Sequence, residues 1–267
     1  MSDTASGRMP LTGIRVLDLS RLMAGNMLTL QLADFGAEVI KVESAQGDTL
    51  RDWTNDGKPL WWKVYGRNKK SICLDLKNDA DRQALLKLVP QAQVVIESFR
   101  HGGMEAFGLG PAVLHAVNPQ LVIVRISGWG QTGPYAHRPG FGTLVEAFSG
   151  FAQRNGFPDK PPALPNLGLA DMIAGLSGAF ATLAAVREVE VNGGLGQIID
   201  LSLLEPHARR AGPRRSHLPA HRQAATSPGQ SRGKRSASQC LPLQRRRLDG
   251  HVRLHPANGR ASAGCDR

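Results

Sequence analysis

Two hydrophobic patterns alternate along this chain. GIRVLDLS (13–20) and EVIKVE (38–43) are nearly continuous apolar runs rich in branched residues, the pattern of strands covered on both faces. Between them MLTLQLADFGA (27–37) has helical spacing and ends at Gly36, a suitable helix stop. SICLDLK (71–77), AQVVIESF (92–99) and PQLVIVRIS (119–127) predict three more strands. DADRQALLKLV (79–89) and PAVLHAV (111–117) predict helices between them. This alternation predicts parallel βαβ units and an α/β fold, a Rossmann-like doubly wound parallel sheet. Such sheets bind ligands at the carboxyl ends of their strands. The loops to watch are therefore 20–26, 44–53, 98–104 and the long one after Ser127. Further on, MIAGLSGAFATLAAVRE (172–188) is apolar on nearly all sides and predicts a buried helix. No internal repeat is apparent.

The pattern stops after QIIDLSLLEP (197–206), in which DLSLLEP reads as helical. Charge changes at the same place. Residues 1–206 hold 19 Lys and Arg against 20 Asp and Glu, whereas residues 207–267 hold 14 against 2. The whole formal excess of +11 therefore sits in the tail. That tail has no Phe, Tyr, Trp or Ile and no apolar period, so it cannot offset its chain entropy and is expected to be disordered. It can be a basic arm that grips nucleic acid or an anionic surface. It can equally be an out-of-frame segment, since Arg, Pro, Ala, Ser, Gly and His are what a GC-rich gene yields in a wrong frame; this second reading is preferred. The expected organisation is a disordered N-terminus over 1–10, an α/β body over 11–206 and an Arg-rich tail over 207–267.

Hydrophobic content of 41% suffices for a real core. MSDTASGRMP is too short and polar for a secretory signal, and no eighteen-residue apolar run lacks charges or glycine-rich breaks, so neither export nor a membrane span is expected. Cys73, Cys240 and Cys265 form no pair or metal spacing, which fits a reduced, cytoplasmic protein.

GWGQTG (128–133) matches G-x-G-x-x-G after a strand, but Pro134 and Pro139 forbid the helix that a dinucleotide site needs. It reads as an ordinary turn or as a loop lying close over a ligand. Glu43 ends a strand and reads as solvated; Cys73 reads as a buried structural cysteine. His101, His115 and His137 have no metal spacing. RNKKS (67–71) is either a solvated loop or a phosphate contact. Asp171 is the one carboxylate within PALPNLGLADMIAGLSGAF (162–180), directly before the apolar helix. Local pattern alone favours a helix N-cap. The same position suits a nucleophile held by the helix dipole, with Gly168 and Gly175 allowing a bulky ligand close.

Several segments together resemble the family III CoA-transferases, the group of the formyl-CoA:oxalate and carnitine enzymes. They are PLTGIRVLDLSRLMAGNMLTLQLADFGAEVIKVE, NKKSICLDLK, VVIESFRHGG, SGWGQTGPYAHRPG, LGLADMIAGLSGAFA and GQIIDLSLLEP, in family order over residues 11–206. The resemblance implies that Asp171 is the catalytic nucleophile and carries CoA as an aspartyl thioester between two carboxylic acids. It implies CoA contacts at Met23 and Ala24, at Leu74, Asp75, Leu76 and Lys77, at Ser98 and Phe99, and at Arg138. CoA enters as substrate, with no tightly bound cofactor and no metal. Met23 departs from a glutamine of the formyl-CoA enzyme, and Ser44 and Ala106 from its CoA-binding arginines, so strict formyl-CoA/oxalate specificity is not expected. Racemases of the same superfamily use a histidine where this chain has Phe141, which disfavours racemisation. Family chains are about twice as long as the matched region and form interlocked homodimers. A shortened chain would lack the second domain and a glycine-rich loop over the site, and its turnover is expected to be weak or absent.

Overall fold

The computed structural model of the chain describes residues 8–157, 159–210 and 253–256. Its strands are β1 (Arg15–Leu19), β2 (Glu38–Glu43), β3 (Lys69–Cys73), β4 (Val94–Glu97), β5 (Val122–Ser127), β6 (Gln197–Ser202) and β7 (Arg253–Pro256). They form one sheet in the order β3-β2-β1-β4-β5-β6-β7, with the first six parallel and β7 antiparallel to β6. The helices are α1 (Leu22–Asp34), α2 (Leu60–Tyr65), α3 (Asp79–Leu88), α4 (Gly103–Ala106), α5 (Pro111–Val117), α6 (Gly142–Phe148), α7 (Phe151–Arg154), α8 (Leu169–Asn192) and α9 (Leu204–Arg210).

The apolar runs are continuous because both faces of the sheet are covered. Val16, Val94, Ile96, Val122 and Val124 face α1 and α8, while Leu17, Val95 and Ile123 face Leu85 of α3 and Leu114 of α5. Chain order reverses between β1 and β4, so the crossovers leave to opposite sides and open a crevice above those two strands.

α8 is long and apolar enough to cross a membrane, but half of its most apolar window is buried in the fold. It packs closely against α1 through small residues. A Cβ at Gly175 would meet Met27 Cβ at 2.8 Å and the Ala24 carbonyl at 2.9 Å. The freedom at Gly175 therefore serves helix–helix approach, not ligand entry as the sequence suggested.

Other expectations are corrected here. DLSLLEP is not one helix: its first residues finish β6, and α9 starts at Leu204. Cys73 is exposed, because β3 is the edge strand. Glu43 is buried rather than solvated: Arg51 donates to it at 2.6 and 2.8 Å, Ser71 at 2.6 Å and the Asp48 N–H at 2.6 Å. Despite the opposing burial, these bonds hold its carboxyl at about 2. The cations of RNKKS are all paired: Arg67 with Asp34, Lys70 with Glu38, and Lys69 within the fold with Asp18. Of the tail, residues 207–210 complete α9 and 253–256 form β7; the rest of 207–267 lies outside the described residues.

Candidate active site

The four loops singled out by the sequence meet at the carboxyl ends of the strands around a cleft of about 560 Å³. Arg21, Leu22 and Ala24 come from the β1 loop, Thr49 from the β2 loop, and Ser98 to His101 from the β4 loop. The β5 loop adds Gly128, Trp129 and Ala136 to Phe141, and Asp171 stands at the wall. Ser98 Oγ accepts the Arg21 N–H at 2.9 Å, tying the two loops of the switch point together.

The β1 loop is held in an unfavourable shape. Leu22 has φ +61°, a left-handed conformation that costs a non-glycine residue about 1–2 kcal/mol. Its N–H donates to Asp48 Oδ1 at 3.0 Å and its carbonyl accepts from Asn26 Nδ2 at 2.6 Å. Asp48 belongs to a buried ion network. Lys41 Nζ lies 2.9 Å from Asp48 and 3.3 Å from Asp18, and Lys69 Nζ lies 3.5 Å from Asp18. Lys41 also donates to the Ser20 carbonyl, and Lys69 to Asn26 Oδ1 at 2.9 Å. Asp18 further accepts from Ser20 Oγ at 2.5 Å and Thr29 Oγ1 at 2.6 Å. Burial opposes the charge of Asp18, but Lys41, Lys69 and the two hydroxyls outweigh it and lower its pKa. Burial lowers Lys69 to about 8.

Asp171 is not the N-cap of α8. The helix starts two residues earlier; Gly168 is the cap residue, and Asp171 lies in the first turn. The space that the cap would have filled is taken by Glu146 of α6, whose Oε1 accepts the Ala170 N–H at 2.9 Å. Asp171 is thereby left free to face the cleft. Burial, and next the charge of Glu146, raise it to about 6, against backbone N–H groups of Asp171 itself and of Ala24 that favour the anion. The carboxylate therefore sits between the first turns of two helices, α1 and α8. At neutral pH it is ionised, desolvated and open on one side.

Gly142, the first residue of α6, lies against it: a Cβ there would overlap Asp171 Oδ2. Gly142→Ala should turn the carboxylate away from the cleft. If Asp171 is the group that an activated acyl donor acylates, that step should slow by about 100-fold, the scale of a misplaced reacting group. Alanine is a better helix former than glycine, so the melting temperature should not fall. Single-turnover labelling and thermal unfolding of the same variant measure both.

The other residues named from the sequence divide into two sets. Ala24, Ser98, Phe99 and Arg138 line the cleft with Asp171. Met23 is buried beneath it, packed with Leu30, Leu50 and Tyr65. Leu74, Asp75, Leu76 and Lys77 follow edge strand β3 and do not line the cleft. Phe141 lines it with its ring more than half exposed. GWGQTG opens no helix, as α6 begins only at Gly142. Instead Gly128 crosses against Gly140, Trp129 Nε1 donates to the Pro139 carbonyl at 3.0 Å, and its ring packs on Tyr135 and Phe148. The loop is thus pinned beside Asp171. The cleft also carries five basic side chains: Arg21, Arg100, His101, His137 and Arg138. The His101 and His137 rings are 4.3 Å apart. Sequence reading missed Glu146, Arg21 and Arg100, and grouped neither histidine with Arg138. Only the folding-back of the β4 and β5 loops brings these together. Among the described residues no cluster could hold a metal ion.

The chain matches the profile of CoA-transferase family III over residues 11–252, past the loss of pattern at 206. It is 43% identical over 200 residues to the succinyl-CoA–D-citramalate CoA-transferase of Chloroflexus aurantiacus, covering 73% of this chain and 50% of that one. It is 38% identical over 215 residues to the succinate–glutarate CoA-transferase of Agrobacterium fabrum, covering 77% and 54%. A crystal structure of a CAIB/BAIF family protein from Brucella suis superposes with a TM-score of 0.77 at 33% identity, covering 83% and 60%. The chain spans about half the length of the curated relatives it matches.

Proposed function

The chain belongs to CoA-transferase family III, and from that premise we propose that it carries the catalytic half of an enzyme that moves CoA between carboxylic acids through Asp171. The observation that carries this reading is a desolvated, ionised carboxylate open to a cleft with a cationic lining. In the proposed sequence, the Asp171 carboxylate attacks the thioester carbonyl of the donor and CoA leaves as thiolate. The thiolate then attacks the aspartyl carbonyl of the mixed anhydride, which frees the donor acid and leaves CoA on Asp171. The acceptor carboxylate attacks this thioester, CoA departs again, and its attack on the acceptor's acyl carbon restores Asp171. Covalent catalysis of this kind conserves the thioester energy. Exclusion of water protects the anhydride from hydrolysis.

The five basic side chains suit the phosphates of CoA and the carboxylates of the two acids. Two of the relatives act on succinyl-CoA or succinate, so a short dicarboxylic acid is the first substrate class to try. Phe141 cannot accept a proton, which argues against racemisation. We further read the described body as unable to turn over alone, because it leaves apolar surface bare. Leu176, Phe180 and Val191 on α8 and Leu144 and Phe148 on α6 are exposed, with Phe180 at 77%. Apolar surface on this scale is normally covered. Reading the coding DNA in all three frames tests whether another frame carries stronger family pattern after residue 206 than the stretch to residue 252 that the profile matches.

Single-turnover labelling tests the chemistry without requiring turnover. The chain is incubated with succinyl-CoA, quenched and digested, and the peptides are weighed. CoA or succinyl mass should appear on Asp171, at a rate that rises with pH and is half-maximal near pH 6, where Asp171 loses its proton. Label on another residue, or undiminished label after Asp171→Ala, would refute the proposal.

A further inference from the structure

The active-site carboxylate has a second carboxylate beside it. Glu146 is only 1% exposed. It accepts the Ala170 N–H at 2.9 Å. Ala170 is the second residue of α8, whose own cap residue, Gly168, makes no side-chain bond to it. Glu146 thus satisfies one of the four N–H groups that a helix start leaves open, and does so from a different helix. No cation is among the groups that act on it. Burial raises its pKa, and the helix start acts against that rise in favour of the anion.

Resting on the reading of Asp171 as nucleophile, we propose that Glu146 is a positioning residue: its bond to the first turn of α8 fixes where Asp171 points, and its negative charge makes the Asp171 carboxylate more basic. The bond acts through the backbone, since Asp171 directly follows Ala170. The charge acts through space. A like charge nearby disfavours the ionised form, and the acid that results is weaker and its anion more basic. Asp171 carries the mark of this, since the Glu146 charge is the second cause of its rise to about 6, after burial. A more basic carboxylate is the better nucleophile, yet at pH 7.5 it remains ionised.

Other charged groups do not explain the effect. The elements packed on α8 carry Asp34 on α1, Arg125 on β5, Asp200 on β6, and Glu205, His207, Arg209 and Arg210 on α9. The cleft adds Arg21, Arg100, His101, His137 and Arg138. Of all of these and Glu146, only Glu146 is among the principal causes acting on the Asp171 charge.

The test needs no substrate, so it stands or falls apart from the CoA chemistry. Aspartate and glutamate carboxyl carbons are labelled with ¹³C in the whole chain and titrated by NMR, with Asp171→Asn identifying the Asp171 signal. Glu146→Gln keeps an oxygen for the Ala170 N–H and removes only the charge. We expect the Asp171 midpoint to fall from about 6 toward the ordinary carboxylate range, with melting temperature nearly unchanged. Glu146→Ala should lower the midpoint as well and also reduce thermal stability. Glu146→Gln and Glu146→Ala are read independently, so either one that folds decides the matter. An Asp171 midpoint that stays put in a folded Glu146 variant overturns the proposal.

Discussion

Replacing Lys41 with methionine is expected to cost about 3–5 kcal/mol of folding free energy, because it leaves a buried carboxylate without its counter-ion. Lys41 is 1% exposed and bridges Asp18 and Asp48, both equally hidden. Removing it leaves two buried anions against one buried cation, Lys69, which lies on the Asp18 side. For a chain of this size the loss should appear as a drop in melting temperature of about 10 °C. Lys70 provides the contrast. It also pairs with a glutamate at 2.6 Å, but its side chain is 72% exposed. Exposed pairs contribute between zero and about 1 kcal/mol, so Lys70→Ala should be nearly silent. Equal melting shifts for the two variants would mean that the interior network is not held by charge. The network also anchors Leu22 and Asn26 through Asp48. Lys41→Met should therefore loosen the β1 loop, which is visible as faster hydrogen exchange at Leu22 and Ala24.

The second large effect has the opposite sign. Asp171→Asn should stabilise the fold at pH 8 while abolishing covalent labelling. A carboxyl whose folded pKa is raised favours the folded state only while protonated. That contribution is whole below the unfolded pKa near 3.8 and is lost as pH rises through about 6. Wild type thus becomes less stable across this window, whereas asparagine does not titrate. The gap between variant and wild type should widen by about 2 kcal/mol between pH 4 and pH 8, allowing for the part of the group that water still reaches. Glu43 and Asp18, whose pKa values are lowered, weaken both proteins in acid alike and cancel in the difference. Denaturant melts of both at a series of pH values check this. A constant gap would mean that Asp171 is not held at a cost. The trade is a common one: an active site keeps a group in a form that the rest of the protein would rather neutralise.

Much of this architecture is legible along the chain. Strands β1, β2, β4 and β5 announce themselves because both faces are buried and no alternation is needed, whereas half of β6 reads as helix. α1, α3, α5 and α8 follow from helical spacing and end signals such as Gly36. Loop identity is legible too, since topology alone sends ligands to the carboxyl ends of strands. Less legible are α6 and α7, short and set in a glycine- and aromatic-rich region with no clear period. The edge position of β3 was hidden as well, and with it the exposure of Cys73: a strand's own residues do not say which neighbours it will have.

The linear order of residues determined most of the sheet and its helices and singled out Asp171, because backbone periodicity and the cost of one acid in an apolar run are local properties. It could not determine what that acid would feel. Glu146 stands 25 positions from Asp171 in the numbering, and Ala24 far earlier still. Lys41, Asp18, Asp48 and Lys69 are spread over four segments. Cap, counter-charge and basicity arise when such distant groups are brought together out of water, where charge acts strongly over a few ångströms. That juxtaposition belongs to the tertiary structure alone.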